Sequence, residues 1–470
     1  MKKLSVVASL FAGLASAQIG RTLDWPTFAN DPQRTGWEKS DARFTKDEVA
    51  KNFQLLFKMK TEGKQSRSLM PPVIVGTLVG SRGFKELAFF AGADDSMMVV
   101  DADLSRIYWQ RRVENGKASG VCPGATSAMP TLLPISFRRP VPRPTPGAPP
   151  ARPTPNPIFA PRSIYFVSSS GMLHRINIDS GEPAVPAVRV VPANTKSSTL
   201  NINDNVLYAT STSCDGATNT VWSMDLSEEG DATPKVVSYT SHSGIFAGMG
   251  GPAVGTDGTI YAQGANGLVA LTARDLKEKN VYMAPASAVT PVVFAYKQHD
   301  MIVTAGKDGR LNLLDSTGLA LLAQSAQVTG GDGALWGGLS TWEEAEGARW
   351  VLATVWGASS SGAKNGSITA FKIEDHDGKP AFTQGWTSSD LVKPVPPVIA
   401  SGVVFALANG DRQTHASLHA LDGLTGREIW STGSQITSAG SLTGLTVANG
   451  RVFFSTVDNT LWAFGVPLEW

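Results

Sequence analysis

The sequence predicts an all-β fold, an eight-bladed β-propeller of four-stranded blades, from three observations. A strand–turn–strand unit recurs along most of the 470 residues, a proline and a short apolar strand precede most of its copies, and one strand near the N-terminus has no partner of its own. Internal repeats with a period of about 20–50 residues indicate solenoids or propellers. Short strands separated by turns favour the propeller.

The clearest copy of the unit spans residues 418–430. Asp422 ends one strand there, where its carboxylate can accept hydrogen bonds from the amides of the following turn. Thr425 and Gly426 supply that turn, because glycine is favoured where φ is positive. Trp430 falls on the next strand and is large enough to cover the neighbouring unit. We therefore predict that Trp430 packs between blades 7 and 8.

The other copies can be followed along the chain in order. Asp101 and Trp109 repeat the spacing of Asp422 and Trp430. The remaining units keep their apolar strands but lose the aspartate, the tryptophan or both. Their second strands are read at residues 164–167, 206–209, 259–262, 301–303, 350–353 and 452–454. Seven full units and one C-terminal unit that stops before its fourth strand give eight blades.

The missing fourth strand of the last unit predicts how the ring closes. Residues 53–60 read as one alternating strand that has no partner close to it in sequence. We predict that it takes the fourth position of blade 8, because closure hides sheet edges and ties the two ends of the chain together. The propeller then spans residues 53–470. A seven-bladed ring, with the weak sixth unit misread, and a β-sandwich are the alternatives.

Composition and the N-terminus indicate a secreted or periplasmic protein without a membrane span. The 41 Lys and Arg residues nearly balance the 40 Asp and Glu residues, which excludes a broad attraction to nucleic acid or to a membrane surface. Residues 1–17 fit a secretory signal peptide, with two lysines, an apolar run and a small-residue cleavage site. Residues 18–52 follow as an N-terminal segment. No later stretch approaches the ~20 apolar residues that a spanning helix needs, and we expect a monomer.

Two cysteines and one proline-rich stretch stand apart from the repeat. Cys122 and Cys214 fall in loops predicted to open on the same face of the ring, so a disulfide and two free thiols both remain open in an oxidising compartment. Residues 138–162 are dominated by proline and arginine and predict an extended insertion between the first and second strands of blade 2. The insertion is either a tolerated surface loop or a cationic arm that meets a partner.

Loops that lead into the inner strands are the predicted location of any binding site, because they line the upper mouth of the central channel. Residues 242–251 and 330–338 are rich in glycine and in large apolar side chains. One interpretation is that the glycines let the blades crowd at the axis. The other is a planar ligand held by two stacking surfaces and two polar contacts, namely Phe246 and Trp336, and His242 and Asp332.

Two repeat lines and the N-terminal segment carry a resemblance to a known family. Residues 99–109, residues 420–430 and the segment Asp-Trp-Pro-Thr-Phe-Ala-Asn-Asp-Pro-Gln-Arg-Thr-Gly at 24–36 resemble the corresponding parts of the pyrroloquinoline-quinone-type β-propellers. That family includes quinoprotein dehydrogenases and scaffolds without a cofactor. The resemblance therefore implies the fold but does not separate enzyme from scaffold, because the repeat packs blades together in both.

A quinoprotein dehydrogenase would, by this resemblance, carry a vicinal disulfide against the quinone, a tryptophan floor, a Ca²⁺ site of Glu, Asn and Asp, and an aspartate base. The two cysteines of this chain are not vicinal, and Asp332 is the only acid in the two mouth segments. Those segments contain neither Lys nor Arg to pair with the cofactor's carboxylates. We therefore predict no catalytic residue, no metal and no cofactor.

The prediction for function is a non-catalytic β-propeller that acts as a scaffold and binds a protein or a surface polymer, as the outer-membrane assembly lipoproteins of this fold do. Two alternatives stay open. One is a dehydrogenase dependent on pyrroloquinoline quinone and Ca²⁺, with the cofactor at the channel mouth. The other is a purely structural component of a cell surface or extracellular matrix.

Overall fold

Eight β-sheets follow one another around a common axis and confirm the eight-bladed propeller. The computed structural model describes residues 24–61, 69–80, 83–92, 94–114, 128–133, 162–193, 195–213, 220–227, 234–240, 244, 249–297 and 299–467. The sixth unit forms a full sheet, so the seven-bladed and sandwich alternatives are wrong. Inner strands of neighbouring blades contact one another around the ring.

The first four blades are meanders that run outward from the axis. Blade 1 contains Val73–Gly80, Gly83–Ala91, Ser96–Asp101 and Arg106–Arg112, and blade 2 contains Thr131–Leu132, Ser163–Val167, Met172–Asn177 and Val188–Arg189. Blade 3 contains a split inner strand, Thr195–Ser197 and Asn201–Asn203, followed by Val206–Ser213, Thr220–Asp225 and Val236–Thr240. Blade 4 contains Ala253–Val254, Ile260–Gly264, Gly267–Leu271 and Glu278–Met283.

The last four blades repeat this order. Blade 5 contains Val292–Tyr296, His299–Ala305, Leu311–Asp315 and Leu321–Gln324. Blade 6 contains a split inner strand, Ala334–Leu335 and Ser340–Glu343, followed by Arg349–Trp356, Gly366–His376 and Lys379–Thr387. Blade 7 contains Val398–Ala400, Val403–Ala408, Ser417–Asp422 and Glu428–Ser431, with Trp37–Glu38 added in parallel to its inner edge. Blade 8 takes Thr446–Ala448, Arg451–Ser455 and Thr460–Gly465 from the C-terminus.

The ring closes as the sequence predicts. Gln54–Lys60 pairs antiparallel with Thr460–Gly465 and supplies the fourth strand of blade 8. Phe57 of this strand and Phe453 of Arg451–Ser455 have their ring centroids 6.4 Å apart. Blade 8 is therefore built from both ends of the chain, which removes the free edge that its third strand would otherwise expose.

Two short helices connect the axis to the closing strand. A 3₁₀ helix spans Ala42–Phe44, and an α-helix spans Lys46–Asn52 after Thr45, whose hydroxyl accepts a hydrogen bond from the Glu48 amide at 3.2 Å. This N-cap satisfies one of the free amides of the first turn. Lys46 Nζ lies 2.9 Å from Asp422 Oδ2, so the helix is tied to the repeat turn of blade 7.

The aspartates of the repeat hold the turns that follow them. Asp422 Oδ1 accepts a hydrogen bond from the Leu424 amide at 2.9 Å, and Asp101 Oδ1 accepts one from the Leu104 amide at 3.2 Å. Burial by itself would raise the pKa of Asp422, but the hydrogen bonds from Lys46 and from the turn amides outweigh it and lower the pKa below its ordinary value. The carboxylate therefore stays charged and fixes the turn.

Outer-strand tryptophans pack on the repeat turn of the next blade. Trp109 of blade 1 donates from Nε1 to the Ile178 carbonyl of blade 2 at 3.0 Å, and a Cβ placed on Gly181 would lie 2.9 Å from its ring. Trp386 of blade 6 covers Gly426 of blade 7 in the same way, at 2.5 Å. The turn glycine is thus required twice, because its φ is +73° or +70° and because a neighbouring indole occupies the space of a side chain.

Trp430 lies at the seam between blades 7 and 8. Its ring is 4.8 Å from Phe53 in a perpendicular arrangement and 5.8 Å from Phe464, between centroids. Blade 8 has no turn between its third and fourth strands, because the chain enters that blade from the N-terminal side. Trp430 packs there against Phe53, which is buried.

Replacing Trp430 with Ala should lower the free energy of unfolding by about 3 kcal/mol. This value is at the lower end of the range for truncation of a large aromatic side chain, because Trp430 is only half-buried. The shift is measured as the urea unfolding midpoint at constant slope. Leu424→Ala, in the exposed part of the same blade's turn, is the matched control and should change stability by less than about 0.5 kcal/mol. An unchanged midpoint for Trp430→Ala would show that the repeat tryptophan does not hold blades 7 and 8 together.

Candidate functional site

The central axis is occupied by residues 24–38, here called the axial segment. Its backbone carbonyls accept hydrogen bonds of 2.8–3.0 Å from the inner strands of six blades in turn. The donors are the amides of Ile74, Leu132, Val254, Val293, Thr341 and Ile399, and the acceptors are the carbonyls of Trp25, Pro26, Pro32, Gln33, Thr35 and Gly36. An inner strand has no neighbour toward the axis, so these bonds satisfy amides that would otherwise lack a partner.

Blade 3 meets the axial segment through side chains instead. Thr27 Oγ1 donates to the Leu200 carbonyl at 2.8 Å, and Asn201 Nδ2 donates to the Pro32 carbonyl at 2.8 Å. With these contacts the segment touches blades 1 to 7 before it runs parallel to blade 7. The channel is therefore filled by the chain's own N-terminal region.

Phe28 closes the axis beneath the upper mouth, the face that carries the loops leading into the inner strands. The ring is 6% exposed and faces three glycines from different blades. A Cβ would lie 2.7 Å from Phe28 at Gly250, 3.4 Å at Gly338 and 4.0 Å at Gly444. The glycines of two mouth loops thus leave room for a side chain of the axial segment.

Arg34 is the charged centre of the axial segment and is completely buried. Its guanidinium donates to Thr27 Oγ1 and to the Phe28 carbonyl at 2.9 Å, and to the Leu200 carbonyl at 3.1 Å. Burial lowers the pKa of Arg34 to about 9, against the opposing effect of the nearby Asp31 carboxylate. The side chain therefore remains protonated at neutral pH and joins the axial segment to blade 3.

Asp332 and Trp336 both lie on the mouth loop of blade 6. Trp336 is half-buried and stacks on Trp356, with ring centroids 3.9 Å apart and planes 13° from parallel. Trp356 is itself fixed, because its Nε1 donates to the Pro394 carbonyl at 2.6 Å. Asp332 is exposed and makes no ion pair with any described residue. One face of the predicted stacking surface is thus covered by a second indole.

The remaining residues and segments singled out in the sequence lie outside the described part of the chain. They are His242 and Phe246 at the mouth, Cys122 and Cys214, the signal peptide at 1–17, and residues 138–161 of the proline-rich insertion. Arg162, at the end of that insertion, is described and pairs with Asp24 at the start of the axial segment. The roles predicted for the residues outside the described ranges stay predictions.

A groove of about 520 Å³ lies on the upper face across blades 4 to 6. Its wall consists of small residues together with Asn266, Pro285, Lys307 and Leu335. Within the ranges that the structure covers, no group of three or more His, Cys, Asp or Glu side chains could hold a metal ion. None of the helices in those ranges is long and apolar enough to cross a membrane.

No local pattern in the sequence indicates that residues 24–38 fill the axis. Neither Phe28 nor Arg34 stands out in the sequence, because the glycines that face Phe28 and the Leu200 carbonyl that Arg34 reaches are far from them along the chain. The sequence feature that does mark these contacts is the proline before the inner strand. In five blades, the amide two positions after this proline donates to a carbonyl of the axial segment.

Solved structures share this fold. The quinohemoprotein alcohol dehydrogenase from Comamonas testosteroni is similar with a TM-score of 0.60 at 11% identity, over 97% of this chain and 82% of that one. The quinohemoprotein alcohol dehydrogenase ADHIIG from Pseudomonas putida HK5 is similar with a TM-score of 0.63 at 11% identity, over 95% and 80%. At 11% identity, both likenesses show that the chain shares the β-propeller fold of these structures.

The chain is also similar to an assembly factor. BamB from Moraxella catarrhalis is similar with a TM-score of 0.51 at 14% identity, over 89% of this chain and 99% of that one. The family model described as outer membrane protein assembly factor BamB matches residues 353–466, from the second strand of blade 6 through blade 8. No curated protein matches the sequence. Enzymes and an assembly factor therefore share the architecture, and the likeness concerns the fold.

Proposed function

We propose that this propeller is a secreted or periplasmic scaffold that binds a protein or a polymer on its outer faces and carries no redox catalysis at its axis. The observation that supports this most is the axial segment. Because residues 24–38 fill the channel and bond to seven blades, the position of an axial ligand is taken by the chain itself. We therefore assign recognition of a partner to the outer surface, including the groove across blades 4 to 6.

The described residues do not fit a quinone with Ca²⁺. Phe28 stands on the axis, and Trp336 already has Trp356 against one face. A planar cofactor with several carboxylates needs cations to replace its hydration, and a divalent metal needs several oxygen ligands. The groove offers a single lysine, Lys307, and the described residues contain no cluster of acids for a metal. These observations support the scaffold over the dehydrogenase.

The match of residues 353–466 to the family model of the assembly factor BamB supports a role in binding a partner. The chain's own features that agree with it are the nearly balanced charge and the sequence of residues 1–17, which fits an export signal. Protein recovered from the cell envelope should accordingly have an intact mass that lacks residues 1–17. Retention of those residues would contradict export by this route.

Titration calorimetry with pyrroloquinoline quinone and Ca²⁺ separates the scaffold from the dehydrogenase. We expect no saturable heat at tens of micromolar, because the axial position is filled and the cofactor's charges would be desolvated without partners. Ca²⁺ alone serves as the control titration, and the absorption spectrum after reconstitution should show no bound quinone. A one-to-one isotherm with sub-micromolar affinity that disappears in Trp336→Ala would overturn this expectation and favour the dehydrogenase.

A further inference from the structure

Three side chains on blade 7 form a continuous hydrogen-bonded series. Ser417 Oγ lies 2.8 Å from His419 Nε2, and His419 Nδ1 lies 2.7 Å from Glu428 Oε2. A hydroxyl, an imidazole and a carboxylate in this order are the parts of an activated nucleophile, its general base and the group that orients the base.

The sheet places these three residues together. Ser417 and His419 stand two positions apart on the third strand, so their side chains point to the same side. Leu421, on that same side, packs against blade 6, which identifies the flank that carries them. A bulge between Ala420 and Leu421 sets Glu428 of the fourth strand opposite Leu421, within reach of the imidazole.

The hydrogen-bond roles follow from the chemistry of the three groups. An ionised carboxylate only accepts, so His419 Nδ1 carries the proton shared with Glu428. In the neutral imidazole the other nitrogen is then an acceptor, and the Ser417 hydroxyl donates to it. This is the tautomer in which His419 can take the proton from Ser417.

The series is open to solvent rather than sealed between blades. The side chain of His419 is 16% exposed and that of Glu428 is 45% exposed. Ser417 is half-buried at the first position of its strand, next to the loop on the upper face. A small electrophile can therefore reach the hydroxyl, while the imidazole is shielded enough to keep its orientation.

We propose that Ser417 is a reactive nucleophile, with His419 as its general base, and that it accepts acyl groups from carboxylic esters. Ser417 Oγ attacks the ester carbonyl carbon while its proton passes to His419 Nε2. The bond from that carbon to the alcohol oxygen breaks, and the alcohol leaves with the proton from His419. Water then attacks the acyl carbon while its proton passes to His419 Nε2. The bond from that carbon to Ser417 Oγ breaks, the carboxylic acid leaves, and the proton returns from His419 to Ser417 Oγ. Glu428 is a positioning residue, because it acts only through His419.

This site goes beyond the scaffold role and is independent of it. The blade 7 flank lies away from the axial segment, and none of the three residues lines the groove across blades 4 to 6. A failure of one proposal therefore leaves the other standing.

The first test is labelling with a fluorophosphonate, which reacts with activated serines, followed by intact mass and peptide mapping. We expect one adduct, on Ser417, and none in Ser417→Ala. Ser96→Ala is the matched control, because Ser96 also begins the third strand of its blade but bonds to the Asp94 carboxylate instead of a histidine. Labelling of Ser96→Ala should equal that of the parent. No adduct on the folded parent, or an adduct on another serine, overturns the proposal.

The second test separates chemistry from structure. His419→Gln should slow labelling by about 10²-fold or more, the range for loss of a general base. Glu428→Gln should lower the maximal labelling rate without changing the half-saturating probe concentration, and Glu428→Asp should restore part of the rate. Thermal unfolding of all variants checks that they remain folded. Equal labelling rates in the parent and His419→Gln would show that the hydrogen bonds are structural only.

Discussion

Deletion of residues 18–60 is expected to abolish the folded monomer. The deletion removes the fourth strand of blade 8 and exposes the edge of Thr460–Gly465. It also removes the axial segment, so the inner-strand amides of six blades lose their acceptors. Unpaired sheet edges promote association between chains, and buried amides without partners are costly. Size-exclusion chromatography with light scattering should show aggregates. A truncated protein that stays monomeric and melts like the parent would contradict the closed ring.

A narrower variant separates ring closure from channel filling. Replacing only Gln54–Lys60 by a Gly-Ser linker of equal length keeps the axial hydrogen bonds and removes the strand that pairs with Thr460–Gly465. We expect this variant to associate through the exposed edge while retaining more structure than the full deletion. If it behaves like the parent, the axial segment alone holds the ring, and the fourth strand of blade 8 is dispensable.

Arg34→Ala is expected to be the most damaging single substitution, with a loss of about 3–5 kcal/mol in the free energy of unfolding. The side chain is completely buried, and its removal leaves the carbonyls of Phe28 and Leu200 without their guanidinium donors. It also removes one of the two cations, Lys39 being the other, that oppose the rise in the pKa of Asp31 caused by burial. Urea unfolding followed by fluorescence measures the loss, since the chain has 12 tryptophans.

Two further variants interpret the result for Arg34. Arg34→Lys keeps the charge but replaces a planar fork by a single ammonium, so it should recover only part of the loss. Arg427→Ala, in the exposed repeat turn of blade 7, is the matched control and should change stability by less than about 0.5 kcal/mol. A similar midpoint for Arg34→Ala and Arg427→Ala would mean that the axial segment contributes little to stability.

The blades and their closure could be predicted from the sequence because their signals are local and repeated. Asp422 and Gly426 describe one turn within five residues, and the same spacing in other units marks further blades. The closing strand was predictable by counting strands. The last unit lacks its fourth strand, and Gln54–Lys60 has no pairing strand close to it in sequence. No knowledge of distant contacts is needed for either step.

The candidate site was less accessible to sequence reasoning. Trp336 was predicted as a stacking surface, but its stacking partner Trp356 lies on another strand of the blade. The glycines of two mouth loops were noted, yet the side chain that requires them, Phe28, comes from more than 200 residues earlier in the chain. Such contacts have no period and leave no local pattern.

The sequence by itself determined the strands, the repeat turns, the number of blades and the strand that completes blade 8. Only the tertiary structure decided what occupies the axis and which polar side chains meet. The place of residues 24–38 depends on the assembled ring, since their carbonyls bond to inner-strand amides of six blades and to a side chain of blade 3. Ser417, His419 and Glu428 likewise meet through a bulge in strand pairing. Local residue preferences fix elements, whereas hydrogen bonds between distant segments exist only after those elements are assembled.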